Sequence, residues 1–544
     1  MNYTVKILLL WLSILTSGFA QKPLGVWDVF STGAKGDGKT MDTKAIQIAV
    51  DHCHAAGGGK VYLHNGTFLS GTIYLKSNVT LYLEAGATLL GSTKATDFPD
   101  QASDYPTYDE NPLTSKALVY AENVQNISID GRGIIDGRGD LLDNRGPNDP
   151  YLRPSFKYRP RILHIRGCQN VQIKGVTLQN SASWVQTYQA CKNLVIDGIT
   201  VDSRENKDVE NPNREHAVKH RNTDGLDLVD CEFVRISNCF ITSGDDAICL
   251  KSFSPDKACR DITITNCVVS AGASGIKIGT ETAGRIEDIV VQNCTVFDTW
   301  GDGLAIMSVD GAQIKRVTFS NISLRNIKRS GIFVRLNTRN KKYGANTVVN
   351  KPALQDVIIS NIQGSRLAAL GCSVTGLSEY PVENVVLRNL NFMFEGGITD
   401  GKSTPVPEKA DAYPVGTMFG ATLPAYGFYV RHARNVTFDQ VQLRFVKDDL
   451  RPALVFDDVE ELDMLGLKAQ SVVQTPELIR LINAQRVTIA DSRPTAAVAS
   501  FVSVYGEKSS AIALTNNTLS QSKQSCVFEN PTLKSTVKES GTIQ

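Results

Sequence analysis

Asp261-Ile262-Thr263-Ile264-Thr265-Asn266-Cys267 is answered one repeat later by Asp288-Ile289-Val290-Val291-Gln292-Asn293-Cys294. Within each copy β-branched residues alternate with polar ones, the period of a strand with one buried face. The closing position recurs at Gly175, Gly198, Asn238, Asn266, Asn293, Asn321, Asn361 and Asn389, with steps of 27 or 28 residues between Asn238 and Asn321. A period in the twenties is the length of one coil of a stacked solenoid. Each coil holds two or three short apolar strands parted by Gly, Asn or Asp, and no stretch long enough for a recurring helix. Leucine-rich repeats need stricter leucine spacing than this. The Val/Ile/Thr-rich, Asn-punctuated coils predict an all-β chain folded as a single-stranded parallel β-helix, with Val, Ile and Cys stacked inward. Asn at the bends tolerates left-handed backbone and ladders with its neighbours.

Outward from this repeat, Asp42 to Val50 carries an Asp cap and helical apolar spacing, which predicts a short N-terminal helix closing the first coil. Two steps of 40 residues, Gly198 to Asn238 and Asn321 to Asn361, mark insertions at roughly 202–221 and 336–350, and a longer one lies near 138–160. Loops of this length on a solenoid build a binding face. Weaker strand periodicity after Asn435 extends the domain over residues 21–525, and residues 526–544 read as a tail, polar and frayed from Lys534. Lys6, the apolar run Ile7 to Leu15 and the small Gly18 and Ala20 have the grammar of a secretory signal peptide over residues 1–20. The apolar core is too short to span a bilayer, so the expectation is an exported protein without a membrane anchor after cleavage.

Lys plus Arg number 57 against 56 for Asp plus Glu, so no net field recommends nucleic acid or an anionic membrane. Affinity for an acidic substrate must be local. The 11 cysteines are an odd number without a CxxC pair. Cys239, Cys267 and Cys294 each follow an Asn, which predicts stacked buried thiols over a disulfide framework.

Chemistry concentrates in Asn222-Thr223-Asp224-Gly225-Leu226-Asp227 and Gly244-Asp245-Asp246. On a regular strand Asp245 and Asp246 would face opposite sides, one of them into the core at prohibitive desolvation cost, so they are expected at a bend. Asp224 lies about one coil earlier and can stack beside them. Adjacent carboxylates raise each other's pKa, so one can hold a proton near neutrality. Such a patch supports calcium coordination, or glycoside hydrolysis with one protonated acid and carboxylates activating water. The alternating loop of an EF-hand is absent.

These motifs resemble glycoside hydrolase family 28, which includes polygalacturonases and rhamnogalacturonan hydrolases. Ala34-Lys35-Gly36-Asp37-Gly38, Asn180-Ser181-Ala182-Ser183-Trp184 and Cys191-Lys192-Asn193 agree, and the similarity spans roughly residues 28–450. The resemblance implies a right-handed parallel β-helix that hydrolyses α-glycosidic bonds of galacturonic-acid polymers with inversion, without metal or other cofactor. It implies Asp245 as general acid, with Asp224 and Asp246 positioning and deprotonating the water.

The chain departs from the family pattern one and two coils further on. Ala273-Ser274-Gly275 stands where a Gly-His-Gly motif is usual, and Ala305-Ile306-Met307 where Arg-Ile-Lys is usual. Both changes resemble exo-acting or rhamnogalacturonan-directed members. A uronate still needs cations near its carboxylate, and Lys251, Lys277 and Arg335, which interrupt apolar strands, are the candidates, with Asn222 completing the substrate-binding set. His216 and His220 precede Asn222 in the first insertion, and Glu281 lies close by in Gly279-Thr280-Glu281. The expected partner is a pectic polysaccharide or oligosaccharide, acted on by a monomer. A β-helical polysaccharide lyase, needing calcium and a Lys or Arg base, and a noncatalytic carbohydrate-binding solenoid are the competing readings.

Overall fold

A computed structural model describes residues 25–107, 116–142, 159–204, 222–400 and 405–543. The expected signal peptide, His216 and His220, and most of the insertions at 138–160 and 202–221 lie outside these residues. Every strand pairing among the described residues is parallel, and each strand pairs with the one a coil above and a coil below. This is the parallel β-helix expected from the repeat, right-handed as the family resemblance implies.

The inward faces form unbroken apolar columns. Val171, Leu194, Val234, Ile262, Ile289, Val317, Val357 and Val385 stand in register on successive coils. None is more than 1% exposed, and burying each such side chain contributes about 1.5–3 kcal/mol. At the corners Asn238, Asn266, Asn293, Asn321, Asn361 and Asn389 all have φ between 50° and 58°. Their amides ladder between coils: Asn321 donates to Asn293 at 3.2 Å, Asn361 to Asn321 at 3.0 Å, and Asn389 to Asn361 at 2.8 Å. All 11 cysteines are free thiols, and ten are buried.

The N-terminal helix runs over Thr43–Ala55, longer than its sequence signature, and buries Ile46, Ala49, Val50 and Cys53 on the first coil. Asp42 precedes it without capping it. Its carboxylate accepts instead from the backbone N–H groups of Lys35 and Gly36, at 2.7 and 3.0 Å, and so ties down the preceding loop. At the other end the ladder continues past residue 525. Ser522–Phe528 pairs with Val498–Tyr505 and Val537–Ser540 with Ser510–Thr515, so the segment expected to be a frayed tail forms the last rungs, with Leu533 buried beneath them.

A further insertion between Val382–Gly396 and Phe428–Asp439 has no counterpart in the repeat spacing. Of its described residues, 397–400 and 405–427, the second segment is an irregular strap across the outside of the coils. Met418, Phe419, Leu423 and Ala425 from the strap pack on Ala305, Met307 and Phe333. The Ala305-Ile306-Met307 segment is therefore apolar because the strap sits on it.

Candidate active site

One sheet of the β-helix carries its charge on the outside. Along Leu226–Val229, Ile248–Ser252 and Ile276–Thr282 the apolar Leu226, Leu228, Ile248, Leu250, Ile276 and Ile278 enter the core. Strict alternation turns the residues between them outward. Asp227, Cys249 and Lys277 thus align in register, and Val229 pairs with Lys251.

The bend preceding each of these strands is also in register. Gly225 N–H donates to Asp246 O, Ala247 N–H to Ser274 O, Gly275 N–H to Asp302 O and Gly303 N–H to Ser330 O, at 2.8–2.9 Å. Successive coils therefore present Asp224, Asp246, Ser274, Asp302 and Ser330 at one position. Asp245 and Asp246 lie at the bend between Phe240–Ser243 and Ile248–Ser252, as their adjacency requires, and it is Asp246 that stacks on Asp224. Gly225 makes the close stacking possible, since a Cβ there would stand 2.5 Å from Ile241 Cγ2 and 2.6 Å from Ala247 O.

Five carboxylates gather around two ammonium groups. Lys277 Nζ is 2.8 Å from Asp246 Oδ2, while Asp246 Oδ1 accepts from Ser274 N–H at 2.7 Å. Lys251 Nζ is 2.8 Å from Glu281 Oε2, 3.5 Å from Asp227 Oδ1 and 3.8 Å from Asp224 Oδ2. Lys251 and Arg161 both lie over the Trp184 ring, at 4.8 and 5.1 Å from its centroid. Asp245 is the more open acid. Its Oδ2 accepts from the backbone N–H of Asn222, whose own φ of 57° turns that group inward. Arg159 holds the Asn222 side chain at 3.1 Å.

This crowding divides the acids. Burial and then Asp246 push the Asp245 pKa up. Burial also acts against the Asp246 carboxylate, but the Lys277 and Lys251 ammonium groups outweigh it and hold its pKa below the ordinary value. Asp224 is driven well up by burial and by Asp227 and Asp245. Asp227 is pushed up to about 7, chiefly by burial, which Lys251 and Arg161 only partly offset. Glu281 is desolvated as well, yet Lys251 and Lys277 draw its pKa down to about 2. An acid with its pKa raised thus stands beside a carboxylate with its pKa lowered, the division that acid–base chemistry needs.

Asp224, Asp245, Asp246, Asn222, Lys251 and Lys277 come together, but Arg335 does not join them. It is 1% exposed, under the strap. Its guanidinium donates to Asn337 Oδ1 at 3.0 Å and to the carbonyls of Gly376 and Glu408 at 2.8 Å. It is a peg for the strap, and its charge is spent on backbone carbonyls. Glu281, expected near the cleft, is fully inside the cluster as the partner of Lys251. Asp227, Arg161 and Asp302 were not singled out by the sequence reasoning. Asp227 was discoverable, since alternation from Leu226 and Leu228 turns it onto the face of the acids.

Asp224, Asp227 and Cys249 bring potential metal ligands within 4.8 Å of one another. The set does not suit calcium, which takes six to eight oxygens. One of the three is a buried thiol whose pKa is driven well up by burial and by Asp246, and the Lys251 ammonium already faces both carboxylates.

The profile of Glycosyl hydrolases family 28 matches residues 53–410. A probable polygalacturonase of Vitis vinifera is 30% identical over 299 residues, covering 52% of this chain and 55% of its own length. An exopolygalacturonase of Zea mays is 26% identical over 392 residues, 69% of this chain and 86% of its own. The chain thus spans about half the length of the Vitis vinifera relative and most of the Zea mays one. The hyperthermoactive exopolygalacturonase of Thermotoga maritima shares the fold, with a TM-score of 0.54 at 21% identity over 68% of this chain and 88% of its own.

Proposed function

The chain belongs to glycosyl hydrolases family 28, and from that premise we propose that it hydrolyses α-glycosidic bonds of galacturonic-acid-containing pectic polysaccharides. The observation that carries this reading is the unequal pairing of two adjacent acids on one bend, Asp246 with Lys277 Nζ at 2.8 Å and Asp245 with the backbone N–H of Asn222 at 3.1 Å. Asp245, more open and with its pKa raised, donates a proton to the leaving glycosidic oxygen. Asp246, its carboxylate favoured by Lys277, accepts the proton of a water that it and Asp224, stacked upon it, orient for attack on the anomeric carbon. Attack from the side opposite the leaving group inverts the anomeric configuration.

The strap supports action near a chain end. It covers the outer face from Ala305 onward and leaves the acids at the boundary of the covered region. The exopolygalacturonase among the relatives is consistent with this. Export is proposed from the N-terminal sequence, and among the described residues no helix is long and apolar enough to cross a membrane.

The lyase reading is the weaker one, because it calls for calcium and a cationic base. The cluster suits calcium poorly, and Lys251 and Lys277 are both held as ammonium by their carboxylate partners, their pKa values raised despite burial. Incubation with homogalacturonan and rhamnogalacturonan oligosaccharides, with and without a chelator, tests the proposal. Hydrolysis gives saturated products with new reducing ends that persist in chelator. Unsaturated, ultraviolet-absorbing products lost in chelator would establish the lyase, and binding without cleavage the noncatalytic solenoid.

A further inference from the structure

The three cations expected to meet a uronate are already engaged among the described residues. Lys251 and Lys277 are 3% and 6% exposed and are engaged by Glu281 and Asp246, while Arg335 lies under the strap. The strap itself supplies a neighbour. Thr338 N–H donates to Ala410 O at 2.7 Å, Asn337 donates to Ala412 O, and Gly416 N–H donates to Asp302 Oδ2 at 3.3 Å. Between these anchors sits Tyr413. Its hydroxyl meets Thr280 Oγ1 at 2.9 Å, one residue from Glu281, yet the residue is 51% exposed. A half-exposed aromatic fixed at both ends of its segment and at its hydroxyl has little entropy left to lose on binding.

Arg339 stands beside it, its Cζ 5.6 Å from the Tyr413 ring centroid. Its Nε and Nη2 are taken by Asp310 at 2.9 and 2.6 Å, and Nη2 also meets Tyr343. Its side chain is 15% exposed, and among the described residues Nη1 makes no hydrogen bond. A guanidinium held rigidly on one edge and open on the other is pre-organised for a carboxylate. Pairing with Asp310 fixes its orientation and leaves donors to spare.

We propose that Tyr413 and Arg339 form the substrate-recognition wall of this cleft, the tyrosine ring against the apolar face of a pyranose and the Arg339 guanidinium on that sugar's uronate carboxylate. This rests on the pectic reading of the same site and names the residues that recognise the charged sugar. Both belong to insertions outside the repeat, so the substrate preference is carried by the irregular part of the chain.

Arg339→Gln, Tyr413→Ala and Tyr413→Phe are compared with wild type on an oligogalacturonide and on its methyl ester. Arg339→Gln is expected to raise KM for the free acid about tenfold, one charge-assisted pair, and to leave kcat/KM on the ester within about twofold. Tyr413→Ala, at an exposed position where unfolding is not at issue, is expected to raise KM for both substrates, and Tyr413→Phe to restore it. For Arg339→Gln a merely structural role would lower kcat on acid and ester alike, and that result, or an unchanged KM in both Arg339→Gln and Tyr413→Ala, overturns the inference. Affinity for trigalacturonate is measured by calorimetry in parallel. Equal affinities of wild type and Arg339→Gln overturn this inference, whereas a wild type that binds the sugar and releases no reducing ends overturns the hydrolytic reading instead.

Discussion

Lys277 Nζ lies 2.8 Å from Asp246 Oδ2, one coil away and fully inside the protein. The pair favours the ionised form of Asp246, and among the described residues Asp245 has no ammonium at hydrogen-bond distance, so its pKa is the one raised. A lysine on the outward face of a strand therefore sets the division of labour on a bend in the neighbouring coil.

Activity should follow a bell in pH. The acid limb follows Asp246, whose pKa Lys277 and Lys251 hold down against burial, and the basic limb follows Asp245, whose pKa burial and Asp246 push up. Lys277→Met removes the largest influence favouring the Asp246 carboxylate. The acid limb of kcat/KM should move to higher pH in that variant, and an unmoved limb would detach Lys277 from the chemistry.

Stability should fall as pH rises from about 4 to about 7 and level off above that. Asp227 has a folded pKa of about 7 against an ordinary aspartate value of 3.8. Its contribution is fully present below the unfolded pKa and is lost as pH rises through the folded one, a change of roughly 2–4 kcal/mol if Asp227 acts alone. Denaturant unfolding of wild type at pH 5 and pH 8 should show the loss, and Asp227→Asn should flatten it.

Glu281 has the opposite sign. Its folded pKa of about 2 means that its contribution is present above the unfolded value and is lost only as pH falls through about 2. Glu281→Gln leaves Lys251 without its nearest anion, and should cost about 3 kcal/mol at neutral pH, the lower end for a broken buried pair because Asp224 and Asp227 still face the ammonium. Chemical denaturation reads this directly.

Arg335→Met keeps much of the side-chain volume and strips the guanidinium from the carbonyls of Gly376 and Glu408. Each orphaned buried acceptor costs about 1–3 kcal/mol, and the cost falls on the strap. Limited proteolysis should cut between residues 405 and 420 sooner than in wild type, with the coils themselves intact.

At the corners, Asn321→Ala should destabilise by about 1–2 kcal/mol, because alanine at φ 54° pays the left-handed penalty that asparagine mitigates and glycine escapes. Asn321→Gly loses the ladder bonds alone. Comparison of the two variants by thermal unfolding separates strain from hydrogen bonding.

The coil architecture was legible because each of its causes is local. A bend that needs positive φ selects Asn, an inward column selects Val, Ile and Cys, and both recur at coil length. The acids were legible because two adjacent Asp cannot share a strand. Arg335 was misread because a lone cation in an apolar strand looks the same whether it faces a cleft or lies beneath a loop, and Lys277 and Arg335 share that pattern. What separates them is the strap, whose residues 405–427 have no period and whose docking on Met307 and Phe333 depends on contacts distant in sequence. Tyr413 was hidden for the same reason. The C-terminal rungs were missed because mostly exposed strands such as Val537–Ser540 are polar enough to read as a tail.

The central claim is that Asp245 delivers the proton. The direct measurement is reducing-end release from an oligogalacturonide by Asp245→Asn, with thermal unfolding recorded on the same preparation. The account predicts a fall in kcat of about 10²- to 10⁴-fold with unfolding unchanged or slightly stabilised. Turnover within about twofold of wild type, by a variant that is folded and still binds the sugar, would contradict it.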